Sequence, residues 1–467
     1  MLVTKGPKVE FDGQLIKKFD KTGPRYTSYP SADRFDDRYG YPDYLQAVAS
    51  LRTRGTRNPL SLYVHIPFCD TVCYYCACNK IITKNRDKAT TYLSYLKREI
   101  EMQGQLFAGI NHVAQLHLGG GTPTYFSDSQ IDELWAQLRR CFQFAPDEVG
   151  EYSIEVDPRT VTPSRVHNLR QQGFNRISLG VQDFDPEVQK AVNRIQSEEE
   201  TLAIITAARE AKFRSVSIDL IYGLPKQNLM TMQQTLAKVV KARPDRIAIY
   251  NYAHMPHAFK MQRRILDSDL PGAETKLDML SLCIRRLTDA GYVYIGMDHF
   301  ALQTDELAIA QRQGRLHRNF QGYSTHAESD LVSCGISAIS AVANTYSQNV
   351  KMLDEYYECI DNNQLPVARG IKLTVDDALR RTIIQMLMCN FELFIPAIES
   401  AYPITFTNYF AVELMKLQTL MQDGLVTIDD EWLIVAPKGR LLIRNICMVF
   451  DQYLTSRPEP FRYSKTI

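Results

Sequence analysis

A short apolar segment followed by an amphipathic stretch recurs six times between residues 60 and 290, and this succession constrains the fold more than any other feature. The apolar segments are rich in Ile, Leu, Val and Tyr, as strands buried on both faces are; they are residues 60–67, 115–121, 151–158, 176–182, 215–223 and 246–253. The helical stretches are residues 90–106, 127–142, 162–172, 198–212, 230–241 and 273–290. This alternation predicts an α/β fold with a parallel sheet and right-handed crossovers.

The number of strand–helix units bears on how the sheet closes. Eight such units make a complete TIM barrel, so the six units found here predict a partial (β/α)6 TIM-like barrel. A doubly wound sheet has the same succession of elements and stays open as the alternative.

The segments before and after the repeated units lack this pattern, so we expect the chain to consist of three parts. Residues 1–50 are an N-terminal arm and lead-in, in which the string GPRYTSYPSAD (23–33) reads as an extended arm packed on something else. Residues 51–367 are the barrel with following segments, 291–301 and 317–324, that border a site. Residues 368–467 form a mostly helical C-terminal domain, with a small β-wing at 424–438.

The charge balance limits the classes of partner. There are 54 Lys and Arg against 53 Asp and Glu, which argues against general nucleic-acid or anionic-membrane binding but allows a local basic pocket. No apolar run approaches the roughly 18 residues of a membrane helix, and residues 1–22 lack the apolar core of a secretion signal. We therefore expect a cytoplasmic protein without nucleic-acid or membrane partners.

Four of the ten cysteines, Cys69, Cys73, Cys76 and Cys78, fall within ten residues, directly after the first predicted strand. Thiolates are soft ligands that suit iron–sulfur clusters, zinc or copper. Three thiolates on a four-iron cluster leave one iron open to a reactant. A closed zinc site completed by Cys78 or His65 is the alternative.

The spacing Cys69-x3-Cys73-x2-Cys76 resembles the signature of radical S-adenosylmethionine (SAM) enzymes. The wider string YVHIPFCDTVCYYCACNK (63–80) resembles one family among them, the oxygen-independent coproporphyrinogen III oxidases, or coproporphyrinogen dehydrogenases. The likeness covers essentially the whole chain through the strings RYTSYP (25–30), GGGTPTY (119–125), IEVDPR (154–159), GVQDF (180–184), DLIYGLP (219–225), NYAH (251–254), GMDHFA (296–301), HRNFQGY (317–323) and RLLIRNICM (440–448).

The resemblance implies one [4Fe–4S] cluster, held by Cys69, Cys73 and Cys76, and two SAM molecules. The implied contacts of the first SAM are Tyr63, Gly120, Glu155 and Ile339, and those of the second are Gly121, Thr122, Gln182, Arg194, Asp219 and Ala253. Ile339 and Ala253 are equally consistent with simple packing. Tyr75, a further cofactor contact, stands where the family usually has Phe, a conservative difference if the contact is through the backbone.

The resemblance also implies catalytic roles near the cluster. Cys78 is implied to be required for turnover without ligating the cluster; an inert small residue is the alternative. His65, inside the same string, is a candidate for a site proton or hydrogen bond, although a lone His is more often structural.

The implied reaction is the oxidative decarboxylation of the ring A and B propionates of coproporphyrinogen III to vinyl groups, giving protoporphyrinogen IX in haem biosynthesis. A 5′-deoxyadenosyl radical from SAM starts it. The substrate carries four carboxylates, so the site needs positive charge; the candidates are Arg25, Lys80, Lys84, His299 and Arg318. An electron donor such as flavodoxin or ferredoxin is implied, as is a monomer.

The alternative function is a haem-binding chaperone with the same cluster and SAM scaffold but no oxidase activity. Such relatives lack the RYTSYP-type arm and the Cys78-type fourth thiol. Both are present here, at residues 25–30 and at Cys78, which favours the oxidase.

Overall fold

The computed structural model describes residues 8–53, 58–454 and 463, and the chain divides into two compact units. Residues 35–272 and 328–372 form the first, here called the barrel unit, and residues 1–34, 273–327 and 373–467 form the second, the terminal unit. The boundaries expected after residues 50 and 367 stay a prediction. Of the two flanking parts, residues 1–7, 455–462 and 464–467 lie outside the described residues.

Six parallel strands form the centre of the barrel unit: β1 (Leu60–Ile66), β2 (His112–Gly120), β3 (Glu151–Val156), β4 (Arg176–Gln182), β5 (Ser215–Tyr222) and β6 (Arg246–Asn251). They lie side by side in chain order, and every neighbouring pair is parallel. A doubly wound sheet reverses its strand order at a switch point. Strict chain order therefore confirms the predicted partial (β/α)6 barrel and excludes the doubly wound alternative.

The helices between these strands are α1 (Asp87–Leu106), α2 (Asp128–Cys141), α3 (Pro163–Gln172), α4 (Glu198–Glu210) and α5 (Leu229–Ala242). Helix α2 shows why they form where they do. Ser127 and Gln130 make a reciprocal capping box at its N-terminus. Its apolar positions Ile131, Leu134 and Leu138 recur at helical spacing and are at most 1% exposed.

Beyond β1 the sheet continues through four strands that the sequence pattern did not predict: β7 (Asp330–Cys334), β8 (Ile339–Val342), β9 (Thr345–Asn349) and β10 (Val367–Lys372). β7 is parallel to β1, and the later pairings are antiparallel. The remaining short strands of the unit are Phe68–Cys69, Ile81–Ile82 and Gln143–Phe144, and its remaining α-helices are Tyr41–Thr53, Pro186–Ala191 and Leu353–Asp361.

The terminal unit is mostly helical, as predicted for the C-terminal part. Its α-helices are Gly13–Phe19, Ala273–Asp289, Glu306–Arg312, Val375–Asn390, Ile395–Ala401, Phe406–Tyr409, Ala411–Gln422 and Ile443–Met448. Its strands form two hairpins, Tyr292–Gly296 with His299–Leu302 and His317–Asn319 with Gly322–Ser324. The predicted wing consists of Val426–Ile428 and Trp432–Val435, and a third strand, Glu392–Phe394, extends it.

The N-terminal arm packs against the end of the chain inside the terminal unit. Tyr26 and Tyr29 are 2% and 1% exposed, and the Tyr26 hydroxyl donates to Asp451 at 3.0 Å. The Arg444 guanidinium donates to the carbonyl oxygens of Gly23 and Pro24. These contacts hold the arm against the end of the chain. The arm is not extended throughout, however, because residues 27–30 are bent and Ala32–Arg34 form a 3-10 helix.

In the part of the chain that the structure describes, no helix has both the length and the apolar character that crossing a membrane requires.

Candidate active site

The cysteine loop follows β1 and is fixed at both ends. A two-residue parallel ladder joins Phe68–Cys69 to Ile81–Ile82 at its base. Near the middle of the loop, Tyr74 N–H donates to the carbonyl of Val192 at 3.0 Å. Gln262 donates to the carbonyl of Tyr75, also at 3.0 Å. Contacts to Ile81–Ile82, Val192 and the side chain of Gln262 therefore hold the cysteines in one arrangement.

The glycine segment at the end of β2 lies against the start of this loop. A Cβ on Gly120 would come within 2.7 Å of the His65 ring, and one on Gly121 within 2.6 Å of the Pro67 carbonyl oxygen. Gly120 also has φ +117°, which a side chain would strain. The N–H of Gly121 donates to the carbonyl of Ile66 at 2.8 Å. Glycine is required here because the His65 ring at Gly120 and the Pro67 backbone at Gly121 leave no room for a side chain.

One cavity of about 1310 Å³ in the barrel unit opens onto the cysteine loop and the C-terminal ends of the strands. Barrel enzymes collect their sites at this end of the sheet. The predicted site residues that line it are Cys69, Cys73, Tyr75, Cys76, Cys78, Lys80, Gly120, Gly121, Thr122, Glu155, Gln182, Arg194 and Asp219.

Each of the three cysteines expected to hold a cluster has a donor or a positive charge beside it. The Thr122 hydroxyl donates to Cys69 Sγ at 3.3 Å, and Arg194 Nη1 lies 3.4 Å from Cys73 Sγ. A hydrogen bond from Cys78 and the charge of Lys80 lower the pKa of Cys76 to about 6 against the effect of burial. Burial raises the pKa of Cys69 to about 11, which ligation to a metal ion overcomes.

These thiols fit a [4Fe–4S] cluster by their chemistry and placement. Among the described residues, no three His, Cys, Asp or Glu side chains converge as a single metal ion requires. A four-iron cluster needs no such convergence, because each thiolate ligates a different iron. Cys69, Cys73 and Cys76 line one cavity, and as the only three thiolate ligands they would leave one iron of a cluster open.

Glu155 is the centre of a polar network on the cavity floor. His117 Nε2 lies 3.1 Å from its Oε1, and the N–H of Gly120 donates to its Oε2 at 3.2 Å. On its other side, His117 Nδ1 forms a short hydrogen bond with the Ser153 hydroxyl. Burial works against ionisation of Glu155, but these interactions outweigh it and lower its pKa. The site therefore presents a carboxylate to a ligand.

A second carboxyl group, that of Asp219 on β5, lies near Glu155. Burial and the charge of Glu155 raise its pKa to about 7, and Ser178 Oγ donates to it at 3.3 Å. When two carboxyl groups lie close together, ionisation of one raises the pKa of the other. Glu155 is therefore the ionised acid of the pair, and Asp219 can hold a proton near neutral pH.

Among the described residues, the remaining predicted residues of the barrel unit are not part of the cavity lining. The Tyr63 hydroxyl is 3.1 Å from His65 Nδ1, and His65 Nε2 is 3.0 Å from the carbonyl of Asn79 in the cysteine loop. Ala253 accepts a hydrogen bond from Gln262 through its carbonyl, and Ile339 accepts one from Ser333. Lys84 is exposed and lies in the chain between the cysteine loop and the helix Asp87–Leu106.

The other three candidates for substrate binding come together in the terminal unit. Arg25 pairs with Asp298, next to His299, whose ring packs edge-on against Tyr323 at 5.2 Å. Arg318 stacks over the same Tyr323 ring, with its guanidinium carbon 4.8 Å from the ring centre. These five residues, called here the basic cluster, bring positive charge and an aromatic surface to one place.

Arg318 is the exceptional member of the basic cluster. The residue is 3% exposed, and within the described residues its Nε and Nη1 have no hydrogen-bond partner. Burying a charged group without a partner is costly, so such an arginine indicates a place for an anion. Burial lowers the pKa of nearby Arg444 to about 10, and the charges of Arg25 and Arg318 add to this.

Comparison with known proteins agrees with this geometry. A relative from Escherichia coli (strain K12), named oxygen-independent coproporphyrinogen III oxidase, is 50% identical over 460 residues, which are 98% of this chain and 99% of the relative. A relative of the same name from Pseudomonas aeruginosa is 49% identical over 98% of this chain and 99% of its own length. The chain belongs to the oxygen-independent coproporphyrinogen III oxidase family. It is a radical SAM enzyme and an oxidoreductase.

The fold of this oxidase family member agrees with a solved structure. The coproporphyrinogen III oxidase of Escherichia coli, described as a radical SAM enzyme, superposes with a TM-score of 0.91 at 49% identity, over 96% of this chain and all of that one. The model of the radical SAM superfamily matches residues 63–239, and that of the HemN C-terminal domain matches residues 373–442. A radical SAM enzyme carries a [4Fe–4S] cluster and SAM.

Several residues of the oxidase site were not predicted from the sequence. His117 lies on β2, the strand that ends in the glycine segment, and Ser153 precedes the predicted site residue Glu155 by two positions on β3. Residues two apart on a strand share a face, so polar residues at alternate positions of these buried strands were an available signal. Asp157 and Arg159 follow in the IEVDPR string, and no strand period marks them because β3 ends at Val156.

Proposed function

We propose that this family member converts coproporphyrinogen III to protoporphyrinogen IX, turning the propionates of rings A and B into vinyl groups in haem biosynthesis. One observation carries the proposal: three cysteines, a glycine segment and an ionised Glu155 surround a single cavity. They do so in a chain that matches 98% of its length to relatives named for this substrate.

When bound, a [4Fe–4S] cluster and SAM would supply the radical chemistry that oxidises an unactivated propionate carbon. Cys69, Cys73 and Cys76, which line the cavity, would hold the cluster. Glu155 accepts a hydrogen bond from a hydroxyl or cationic group of SAM, since it is held ionised by His117 and Gly120. Tyr63, Gly120 and Ile339 complete the contacts of this first SAM.

The proposal includes a second SAM molecule in the same cavity. Its contacts are Gly121, Thr122, Gln182, Arg194, Asp219 and Ala253, with Tyr75 beside them. Two observations support this: the cavity of about 1310 Å³ exceeds the roughly 300–1,000 Å³ of ordinary small-molecule pockets, and Arg194 is a buried cation suited to a carboxylate.

The carboxylates of the substrate bind Arg25, His299 and Arg318 of the basic cluster, and Lys80 and Lys84 are the further candidates for carboxylate binding that the sequence offers. Arg318 supports this assignment most directly, because it is 3% exposed and two of its nitrogens lack partners within the described residues. A substrate carboxylate supplies the missing acceptor and the opposite charge. The Tyr323 ring offers an apolar face for the tetrapyrrole.

Two residues of the cysteine string act near the cluster. Cys78 transfers a hydrogen atom or an electron, or orients the substrate, without ligating iron; its exposure and its hydrogen bond to Cys76 support a role outside the ligand set. His65 supplies a hydrogen bond or a proton in the site, and its contact with the Tyr63 hydroxyl supports this.

The wider setting follows from the same proposal. The enzyme is a cytoplasmic monomer that takes electrons from a donor such as flavodoxin or ferredoxin and has no nucleic-acid or membrane partner; the near-neutral charge of the sequence supports the last point. Residues 1–50, 51–367 and 368–467 serve as arm, barrel and C-terminal domain. Light scattering of the purified holoenzyme, fractionation and limited proteolysis test these points.

The deciding experiment is an anaerobic assay of the reconstituted enzyme with SAM, reductant and coproporphyrinogen III. We expect protoporphyrinogen and 5′-deoxyadenosine, and neither product from a Cys73→Ser variant that lacks a cluster ligand. Tight haem binding without vinyl product would contradict the proposal in favour of the haem chaperone. Bound zinc without iron would contradict it in favour of a structural zinc site.

A further inference from the structure

Cys73, the middle cysteine of the loop, is in contact with two guanidinium groups. Arg194 Nη1 is 3.4 Å from its Sγ, and Arg159 Nη2 is 3.6 Å from the same atom. Arg194 is already assigned to a SAM contact, whereas Arg159 has no role in the proposed function. Arg159 lines the cavity, and its side chain is 19% exposed.

Asp157 holds both arginines in place. Its carboxylate accepts from Nε and Nη2 of Arg159, at 3.0 Å and 2.6 Å, and from Nη1 of Arg194 at 3.1 Å. Arg159 is thereby fixed by a two-point contact to a side chain that is only 9% exposed. Its Nη2 contacts both Asp157 and Cys73. The ion pair with Asp157 therefore fixes the position of the guanidinium beside the sulfur.

The charges in this group do not cancel. Arg159 and Arg194 carry two positive charges, and Asp157 carries one negative charge, so a net positive charge remains against Cys73 Sγ. Hydrogen bonds and charge at the ligating sulfurs set the reduction potential of an iron–sulfur cluster. Adding an electron makes the cluster more negative, and a fixed cation beside a ligand sulfur stabilises that reduced state more than the oxidised one.

We propose that Arg159 is a positioning residue that raises the reduction potential of the cluster through its contact with Cys73 Sγ. The inference rests on the proposed function, since it requires the cluster that Cys69, Cys73 and Cys76 hold. Arg159 thus makes the cluster easier for the electron donor to reduce, and Asp157 keeps the guanidinium aimed at the sulfur.

The test compares reconstituted wild-type enzyme with Arg159→Gln and Arg159→Lys, using an EPR-monitored redox titration as the readout. For Arg159→Gln we expect the ratio of reduced to oxidised cluster at a fixed potential to fall about tenfold, which is about 59 mV for one electron. Arg159→Lys keeps the charge and should recover most of this shift. Iron content per chain should stay as in the wild type in both variants.

The matched control is Arg170→Gln. Arg170 makes a comparable two-point contact with Asp147, at 2.7 Å and 3.3 Å, in the same unit but away from the cavity lining. Its loss should leave the potential unchanged. An unchanged potential in Arg159→Gln, with a full complement of iron, would overturn the inference and leave the proposed function standing. A wild-type protein that binds no four-iron cluster would overturn the proposed function itself, and the inference with it.

Discussion

His117 Nε2 lies 3.1 Å from Glu155 Oε1, so a histidine on β2 holds the carboxylate on β3 that faces the cofactor cavity. The imidazole is fixed from behind by the Ser153 hydroxyl and stacks on the Tyr63 ring at 5.8 Å. Three neighbouring strands therefore contribute to the orientation of one acid. This relationship explains why the pKa of Glu155 lies below its ordinary value although burial works against its ionisation.

Replacing His117 by Gln should weaken SAM binding. Without the imidazole, Glu155 loses a stabilising partner and its pKa rises, so less carboxylate is available to SAM. A hydrogen bond to a charged group contributes about 1.5–3 kcal/mol, so the dissociation constant should rise about 10- to 150-fold by calorimetry on the reconstituted enzyme. His112→Gln, at the exposed start of the same strand, is the control; equal affinities in the two variants would refute the role of His117.

Replacing Arg318 by Gln should raise the KM for coproporphyrinogen III more than it lowers kcat. The variant loses a charge-assisted contact to a substrate carboxylate, worth about 1.5–3 kcal/mol, while the cofactor contacts in the barrel unit stay intact. Steady-state kinetics under anaerobic conditions measure this. Arg312→Gln, an exposed arginine of the same unit, should behave as wild type.

Because Arg318 is buried, its loss could also destabilise the fold, and Arg318→Lys separates the two effects. The lysine keeps the charge and should recover part of the substrate affinity. If KM is unchanged in Arg318→Gln while the melting temperature falls, the buried arginine is structural and the assignment to substrate is wrong.

Replacing Cys78 by Ser should leave the cluster in place and abolish turnover. Cys78 lies in the loop beyond the three ligands, so iron and sulfide content should match the wild type, whereas product formation should disappear. Cys76→Ser should lose iron, and Cys359→Ser, outside the loop, should change neither quantity. Loss of iron in Cys78→Ser would make it a fourth ligand and contradict the proposed open iron.

The pH dependence of stability should reveal Glu99, a fully buried carboxyl group on α1. Burial raises its pKa to about 7, against hydrogen bonds from Tyr356, Gly335 and Asn349. The folded protein therefore binds this proton more tightly than the unfolded chain does. The resulting stabilisation is complete below pH 4.5, the unfolded value, and is lost as pH rises through about 7.

The measurement is chemical unfolding of wild type and Glu99→Gln between pH 4 and 8. The stability of the wild type relative to Glu99→Gln should fall by about 3 kcal/mol across this window. Glu101→Gln, on the exposed side of the same helix with a side chain that is 49% exposed, is the control. A difference that does not depend on pH would show that Glu99 titrates alike in both states.

Local patterns predicted the barrel well. Each of the six strands was found within a few residues of its expected bounds, because strands buried on both faces read as continuous apolar runs. The strands β7–β10 were not predicted from the sequence, because they join the sheet from a segment that begins more than 70 residues after β6. Their pairing is a long-range contact, and nothing in the local sequence marks it.

Spacing along the chain is enough to predict the succession of strands and helices, the three cysteines in one loop and the glycines at the end of the second strand. The contacts between His117 and Glu155, between Arg159 and Cys73 Sγ, and among Arg25, His299 and Arg318 became visible only in the folded chain. Those contacts join residues far apart in sequence, and they exist because folding brings separate strand ends and chain segments within hydrogen-bonding distance.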